Sequence, residues 1–400
     1  MMINKILFFL FIVLLPTQLG RHFFFPFSYL SGVRVDYLTP AIYLTDIIIF
    51  LIAMVNRKIV LKFFSNRKIL FCLTLLIINI LVSKLPIIST YWLVKIIELL
   101  IIFSLAKKIL ITLKEKFILT TLLISGLFEL FLSLIQLINK HSVQGIFYYF
   151  GERLLTLSTP GVAKASIQGI EFLRPYGTFS HPNSLGGFFL LLYFFVLTYK
   201  KFNSHLALKY LFLFISSILV FVSFSKIAIA CYLILNTYYL IFNTKFNCRI
   251  CKIARIIVMF VVSLIFLSAT TDPLTVNKRI ELIKNSITII MRYPIQGVGL
   301  GSYLLEQAKF SSKFYLFFNQ PVHNIFLLFI AETGLIIGGF ILYRLVDLLI
   351  QKRLTKGQWL LIFVIIFTGF FDHYWLTLQQ NFLLMGLVMG VILSHGVSVD

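Results

Sequence analysis

Apolar runs about as long as a membrane-crossing helix alternate along this chain with short segments rich in lysine and arginine. A helix needs about 20 mostly apolar residues to cross a bilayer. The pattern predicts about twelve such spans, at roughly 5–19, 38–56, 69–83, 88–106, 117–137, 185–199, 208–224, 227–243, 256–270, 323–343, 358–372 and 380–395. We therefore expect an all-α, polytopic membrane protein in which residues 1–400 form a single transmembrane domain.

Two longer polar stretches interrupt this pattern, at about 139–184 and 271–322, and each leads directly into a predicted span. Loops this long inside a compact protein are usually functional. In the second loop, isoleucines at helical spacing predict an amphipathic helix over Val276–Arg292, of the kind that lies on a membrane surface. The glycines between Gly297 and Gly301 predict a flexible turn after it.

The composition excludes an ordinary soluble protein. Hydrophobic residues make up 60% of the chain and charged residues only 12%, whereas a soluble domain carries roughly 25% charged residues. A net charge of +22 would suggest a nucleic-acid partner in a soluble protein, but here most basic residues fall in short loops, where they orient a chain in a bilayer. This bias predicts an inner-membrane protein with both termini in the cytoplasm, both long loops outside and no nucleic-acid partner.

The four cysteines do not form a disulfide framework. Cys72 and Cys231 lie in apolar runs, whereas Cys248 and Cys251 form a single C-x-x-C pair in a basic loop that we place in the cytoplasm. No second pair completes a zinc site, so free thiols are the expectation for Cys248 and Cys251.

Two arginines in the long loops are the candidate anion-binding residues. Arg174 and Arg279 each lie near a motif of glycine and proline, and the planar guanidinium suits a phosphate or diphosphate. For one arginine alone, a lipid-headgroup anchor is an equally good interpretation; two in matching positions favour anion binding. Lys226, in the Ser225-Lys226 pair between two spans, is a further phosphate-binding candidate.

His323 is the candidate general base, because an imidazole accepts a proton near neutral pH. The alternative is a histidine satisfied by a headgroup or a backbone carbonyl. Glu332 lies nine residues further along the same predicted span, where a carboxylate should face the bundle interior. It either orients the base or pairs with an arginine as a structural contact.

Other polar residues have plainer interpretations. His181 and Asn183 precede the sixth span, where Asn183 can cap the helix. Asp372 and His373 either anchor the end of the eleventh span at the interface or line the outer cavity. Lys95 and Glu98 can pair on one helix face, and the sequence assigns no purpose to the acids Asp46 and Glu129.

In this order, the motifs resemble those of the O-antigen ligase and O-antigen polymerase superfamily of bacterial envelope polysaccharide assembly. The resemblance covers about the last 230 residues and rests on Arg174-Pro175-x-Gly177-Thr178-Phe179-x-His181-Pro182-Asn183-x-Leu185-Gly186, Ser225-Lys226, Arg279, Tyr293-Pro294-Ile295-Gln296-Gly297-Val298-Gly299, His323-Asn324, Glu332-x-Gly334, Asp372-His373-Tyr374 and Gln379-Gln380.

The resemblance implies a metal-independent glycosyltransferase without a cofactor, with an all-helical fold like that of other integral-membrane (GT-C-like) glycosyltransferases. It implies that Arg174 and Arg279 hold the diphosphate of a polyprenyl-diphosphate-linked glycan, and that His323 activates an acceptor hydroxyl on the outer face of the inner membrane. Asn324 would support the base. Ligase and polymerase stay open, as do the sugar and the acceptor, which is a lipid, a protein or a glycan. A transporter of solutes or lipid-linked glycans is the alternative from another class.

Overall fold

The computed structural model describes residues 2–242, 248–270, 275–310 and 319–394. The described chain is mostly helical. In chain order the helices are α1 Met2–Leu14, α2 Leu44–Val55, α3 Arg57–Phe64, α4 Arg67–Leu81, α5 Pro86–Leu113, α6 Glu115–Asn139, α7 Ile146–Tyr149, α8 Pro182–Thr198, α9 Leu206–Val222, α10 Lys226–Phe242, α11 Arg249–Leu267, α12 Thr275–Arg292, α13 Tyr303–Gln307, α14 Ile325–Gln351, α15 Lys356–Gly369, α16 Tyr374–Thr377 and α17 Gln379–Leu393.

Several described helices are apolar and long enough to cross a membrane. Four pass by length and composition, namely Glu115–Asn139, Lys200–Val222, Arg249–Leu267 and Ile325–Gln351. Arg57–Phe64 and Arg67–Leu81, bent by 74° at their junction, would make a fifth as one broken span, and six more apolar helices are shorter. The chain is therefore a helical membrane protein, while the count of about twelve spans stays a prediction.

The main hydrophobic core is centred on α8. Nearly every residue of this helix from Pro182 to Val196 is buried, which is typical of a helix enclosed on all sides. It packs against α9, α10, α15 and α17, and α17 in turn packs along α5. The helix α5 also continues through Lys107 and Lys108, beyond the predicted end of this span at about residue 106.

Short strands occur where the all-α expectation had none. They are β1 Gly20–His22, β2 Tyr29–Leu30, β3 Val33–Arg34, β4 Ala41–Tyr43, β5 Lys164–Ile167 and β6 Ile170–Leu173. They pair antiparallel as β1–β4, β2–β3 and β5–β6. The second predicted span therefore starts too early, because β4 precedes α2 and leaves 20–43 as a third structured loop region.

A second, smaller apolar core joins this 20–43 region to the second long loop. Its buried side chains include Val35 and Leu38 from the former and Leu282, Ile289 and Tyr303 from the latter. Helix α12 lies along α14, so its inner face packs on protein while Ile280, Ile283 and Ile287 stay exposed on its outer face. The second loop is thus a helical unit with a core of its own.

Helix α14 is interrupted at Gly334, whose φ of 76° is non-helical. The segment 294–302 fits into this break. Added Cβ atoms at Gly297 and Gly334 would lie 2.4 and 2.2 Å from facing backbone oxygens, so both positions require glycine. The flexible turn expected between Gly297 and Gly301 is instead a tightly packed one.

The C-x-x-C pair also departs from expectation. Cys248 and Cys251 form a disulfide at the start of α11, so the expectation of free thiols there was wrong, whereas Cys72 and Cys231 are free. The spacing of three residues at a helix start brings the two sulfurs together, since Cys248 Sγ also accepts the Cys251 backbone N–H.

Candidate functional site

Asp372 lies at the centre of a group of polar side chains from four separate parts of the chain. It sits between α15 and α16 and is buried. Its Oδ1 accepts the backbone N–H of His373 at 2.8 Å and faces His323 Nδ1 at 3.4 Å, while its Oδ2 accepts Asn183 Nδ2 at 2.7 Å. Burial alone would raise the pKa of this carboxyl, but its interactions with His323 and then Arg279 lower the pKa well below the ordinary value. Asp372 is therefore ionised.

We call Arg174, Asn183, Arg279, His323, Asp372 and His373 the Asp372 cluster. The sequence analysis had singled out all six, but it gave Asp372 only a supporting role. The close approach of α8 to α16 explains the meeting of the first loop with Asp372: an added Cβ at Gly187 would lie 2.2 Å from Tyr374 Oη.

His323 is held between a buried residue and a helix cap. Val322 before it is buried, and Asn324 after it caps α14, accepting the backbone N–H groups of Phe326 and Leu327 at 2.9 Å each. The Nδ1 of His323 is buried and has no hydrogen-bond partner among the described residues; the Asp372 carboxylate is the group it faces. A histidine oriented through one ring nitrogen has the other free to accept a proton.

Arg174 follows strand β6 and is 8% exposed. Its Nε donates to the backbone oxygen of Ser223 at 3.0 Å, and its Nη2 donates to Asn183 Oδ1 at 2.6 Å. Burial lowers the pKa of this guanidinium to about 10, so it is still charged at neutral pH.

His181 begins α8 as its N-terminal cap, with Pro182 next. Its Nδ1 accepts the Asn183 backbone N–H at 3.1 Å. Burial, and then the charge of Arg174, lower the pKa of His181 to about 3, so the ring is neutral and suited to accept this bond. The cap that we had assigned to Asn183 therefore belongs to His181, and the Asn183 amide is used between Arg174 and Asp372 instead.

Arg279, on the first turns of α12, has fewer protein partners than Arg174. Its Nη1 donates to the Phe371 backbone oxygen at 3.3 Å. Its Nε is buried and has no partner among the described residues. Since a guanidinium has five N–H donors, Arg279 has several left for a ligand.

Glu332 is not in the cluster. Its carboxylate lies near the backbone N–H groups of Gly301 and Tyr303, and its backbone oxygen accepts Gly299 N–H at 2.9 Å and Asn79 Nδ2 at 3.1 Å. It lies seven residues beyond Ile325, the first residue of α14, which is about 10 Å along the helix axis from the end next to His323. The geometry gives Glu332 a part in holding the 294–302 segment.

Lys226 is the first residue of α10, and its side chain is exposed, unlike that of Arg174. It lies three residues beyond Ser223, whose backbone oxygen accepts a hydrogen bond from Arg174. It is therefore a residue at the edge of the cluster.

Buried polar side chains hold the first loop in place. Glu129 accepts the backbone N–H of Thr178 at 3.1 Å and its hydroxyl at 2.5 Å. Gln136 Oε1 accepts the Gly177 N–H at 2.8 Å, and Gln136 Nε2 donates to Glu152 at 2.8 Å. These contacts give Glu129 the purpose that the sequence did not reveal: it fixes the backbone that follows Arg174.

Tyr37 and Arg153 lie beside the cluster and were missed. The ring of Tyr37 meets His373 edge-to-face, with centroids 5.4 Å apart. Arg153 pairs with Asp36 at 3.1 Å and donates to the Ser180 backbone oxygen at 3.4 Å. Tyr37 borders an apolar run and Arg153 stands in no motif, so no local signal marked either residue.

Three members of the cluster have the side chains of a metal site. One ligand atom from each of His323, Asp372 and His373 lies within 4.8 Å of the others. However, the positive charge of Arg279 acts on both Asp372 and His373. A site with one carboxylate and two nearby guanidinium groups favours an anion over a divalent cation.

No protein-family model and no curated protein matches this chain. A function is therefore inferred from the geometry of the Asp372 cluster and from the motif resemblance.

Proposed function

We propose that this protein is a membrane glycosyltransferase of the O-antigen ligase or polymerase type. It would transfer a glycan from a polyprenyl-diphosphate donor to an acceptor hydroxyl. The observation that supports this most directly is the pairing of an oriented histidine, His323 on Asp372, with a nearby arginine, Arg279, that has unused donors. Such a set can deprotonate a nucleophile and stabilise a leaving diphosphate.

The proposed reaction is a single displacement. His323 Nε2 takes the proton of the acceptor hydroxyl while the acceptor oxygen forms a bond to the anomeric carbon. The bond between that carbon and the diphosphate oxygen breaks, and its electron pair leaves with the polyprenyl diphosphate. Arg279 offsets the negative charge that develops on the leaving group. Asp372 stabilises the imidazolium that forms.

The test uses full-length protein in lipid nanodiscs, with lipid-linked glycans extracted from the membranes of the source bacterium as donor. Release of polyprenyl diphosphate is followed by mass spectrometry. We expect His323→Ala to lower turnover by roughly 10²- to 10⁴-fold, as for removal of a general base. His141→Ala, an exposed histidine of the first loop, is the matched control. Wild-type turnover in a folded His323→Ala protein would reject the mechanism.

The same assay addresses metal dependence. We expect turnover to survive EDTA without added cations. Loss of turnover in EDTA that Mg²⁺ or Mn²⁺ restores would instead favour a metal site at His323, Asp372 and His373.

The proposal includes a location in the inner membrane, with both termini in the cytoplasm and the Asp372 cluster on the outer side. In a background without native cysteines, Glu171→Cys should react with a membrane-impermeant maleimide in intact cells, whereas His205→Cys should react only after lysis. Labelling with the opposite pattern would show that the predicted membrane topology is inverted.

A transporter is the second candidate, and one observation favours it. Lys95, on α5, is buried and forms ion pairs with Asp46 and Glu98, and charged groups inside membrane helices often mark transport paths. Uptake of a lipid-linked glycan by proteoliposomes without release of polyprenyl diphosphate would support this alternative. Ligase and polymerase differ only in the acceptor, so purified lipid A core and glycan repeat units offered in turn would separate them.

A further inference from the structure

We infer that Arg174 is a positioning residue for His323, acting through Asn183 and Asp372, and is not a ligand of the donor diphosphate. This inference rests on the proposed function and departs from the role that the motif resemblance implies for Arg174. It predicts that the two loop arginines serve different steps: Arg279 binds the anion, and Arg174 sets the geometry of the base.

The hydrogen bonds of Arg174 tie its guanidinium to the protein. Two of its nitrogen atoms donate to protein groups: Nε donates to the Ser223 backbone oxygen, and Nη2 donates to Asn183 Oδ1 at 2.6 Å. The side chain is 8% exposed. A buried guanidinium that is already bonded in two directions has little freedom to move toward a ligand.

Asn183 connects Arg174 to Asp372, and its side-chain amide can make both contacts in only one orientation. A guanidinium has only donors and a carboxylate only acceptors. The amide oxygen of Asn183 must therefore face Arg174, and its NH₂ group must face Asp372, as the 2.6 Å and 2.7 Å contacts have it. Because Arg174 can only donate and Asp372 can only accept, the positions of the amide oxygen and nitrogen of Asn183 cannot be exchanged.

Asp372 is held at both oxygens. Asn183 donates to Oδ2, and the His373 backbone N–H donates to Oδ1. Oδ1 then faces His323 Nδ1 at 3.4 Å. A carboxylate fixed beside Nδ1 keeps the proton of a neutral imidazole on that nitrogen, which leaves Nε2 as the proton acceptor. Loss of any link in this chain should change the base without emptying the anion site.

Arg279 provides the contrast inside the same site. Its one backbone contact among the described residues, to Phe371, is long at 3.3 Å, and its buried Nε has no partner there. A ligand anion would satisfy that donor. We therefore assign anion binding mainly to Arg279.

The experiment separates binding from turnover in full-length protein in nanodiscs. Binding is measured with undecaprenyl diphosphate, the leaving group of the proposed reaction, by native mass spectrometry or thermophoresis. Turnover is measured as kcat and KM with lipid-linked glycans extracted from the source bacterium. The variants are Arg174→Ala, Asn183→Ala and Arg279→Ala, and Asn277→Ala, exposed on α12, is the control.

We expect Arg174→Ala and Asn183→Ala to bind undecaprenyl diphosphate within about threefold of wild type and to lose roughly tenfold or more in kcat, the range of a weakened base. Their apparent KM for the donor should stay within about threefold of wild type, so that the loss lies in kcat. Arg279→Ala should lose binding instead.

Equal loss of binding in Arg174→Ala and Arg279→Ala, with a wild-type kcat in Asn183→Ala, would overturn the inference and leave the proposed function intact. Wild-type turnover in both His323→Ala and Arg279→Ala would reject the proposed function itself. If Asn183→Ala does not fold, the isosteric Asn183→Asp serves: it still accepts from Arg174 but presents an oxygen to Asp372, so kcat must fall at neutral pH for the inference to stand.

Discussion

Arg174 in the first long loop donates hydrogen bonds of 3.0 and 2.6 Å to two protein groups. Within the described residues, Arg279 in the second loop donates one bond of 3.3 Å, and its buried Nε has no partner. The loops that carry them are also built differently. The first has little regular structure and is fixed by buried side chains such as Glu129 and Gln136. The second is helical and packs through its own apolar core.

The difference shows that similar motifs can serve different ends. A loop with little regular structure leaves many backbone N–H groups for side chains to satisfy, and in the first loop that network reaches as far as Arg174. A helix satisfies its own backbone, so α12 can present Arg279 with its buried Nε unpartnered among the described residues. Four changes would test this comparison.

The largest effect is expected from removing the support of the first loop. Glu129→Ala leaves the buried Thr178 N–H without its acceptor and leaves the Thr178 hydroxyl only the Pro16 backbone oxygen, which should lower the free energy of unfolding by about 2–3 kcal/mol. Thermal unfolding in detergent measures this change. Glu171→Ala, on the exposed β5–β6 hairpin, should have little effect, and equal stability of both variants would show that the first loop does not depend on its buried acid.

Removing Arg279 should affect ligand binding more than stability. Arg279→Ala should weaken undecaprenyl diphosphate binding by roughly tenfold to a hundredfold, since charge-assisted hydrogen bonds to phosphate are lost. Affinity at low and high salt provides the measurement, and the wild type should lose more affinity in salt than the variant. Unchanged affinity would mean that the second loop does not hold the anion.

The contact of the second loop with α4 should contribute a smaller amount. Asn79, fully buried on α4, donates to the backbone oxygens of Gln296 and Glu332 and accepts the Leu300 N–H. Asn79→Ala should cost about 1–2 kcal/mol in unfolding free energy. Thr74→Ala, exposed on the same helix, is the control; a similar melting temperature for both variants would count against a supporting role for Asn79.

The smallest effect concerns pH. Burial lowers the pKa of His181 from 6.5 to about 3, so below about pH 6.5 the unfolded chain binds a proton that the folded chain excludes, and stability falls as pH drops toward 3. His181→Asn keeps a capping side chain but does not titrate. Its melting temperature should fall less than that of wild type between pH 7.5 and 5. An equal fall would assign the pH dependence to other groups such as His373, and His141→Asn controls for the loss of an imidazole.

Much of the helical architecture could be predicted from the sequence. Helices arise from local apolar runs, so α6, α9 and α12 lie close to where the pattern put them. The strands of the 20–43 region were not predicted, because pairing such as β1–β4 depends on residues about twenty positions apart. The break at Gly334 was hidden too, since it depends on the segment 294–302 packing against it.

For this protein, the sequence by itself determined the membrane-type helices and the residue types of the site: the arginines of two long loops, the histidine before α14 and the Asp372–His373 pair. These are local properties of composition and motif. The tertiary structure alone decided which of them meet and what each can do. It made Asp372 the centre of the site and kept Glu332 apart from His323. Among the described residues, it left the buried Nε of Arg279 without a partner, whereas Nε and Nη2 of Arg174 donate to protein groups. Hydrogen bonds between distant segments have no signature in a local sequence pattern, because each partner is an ordinary residue until the fold brings the other to it.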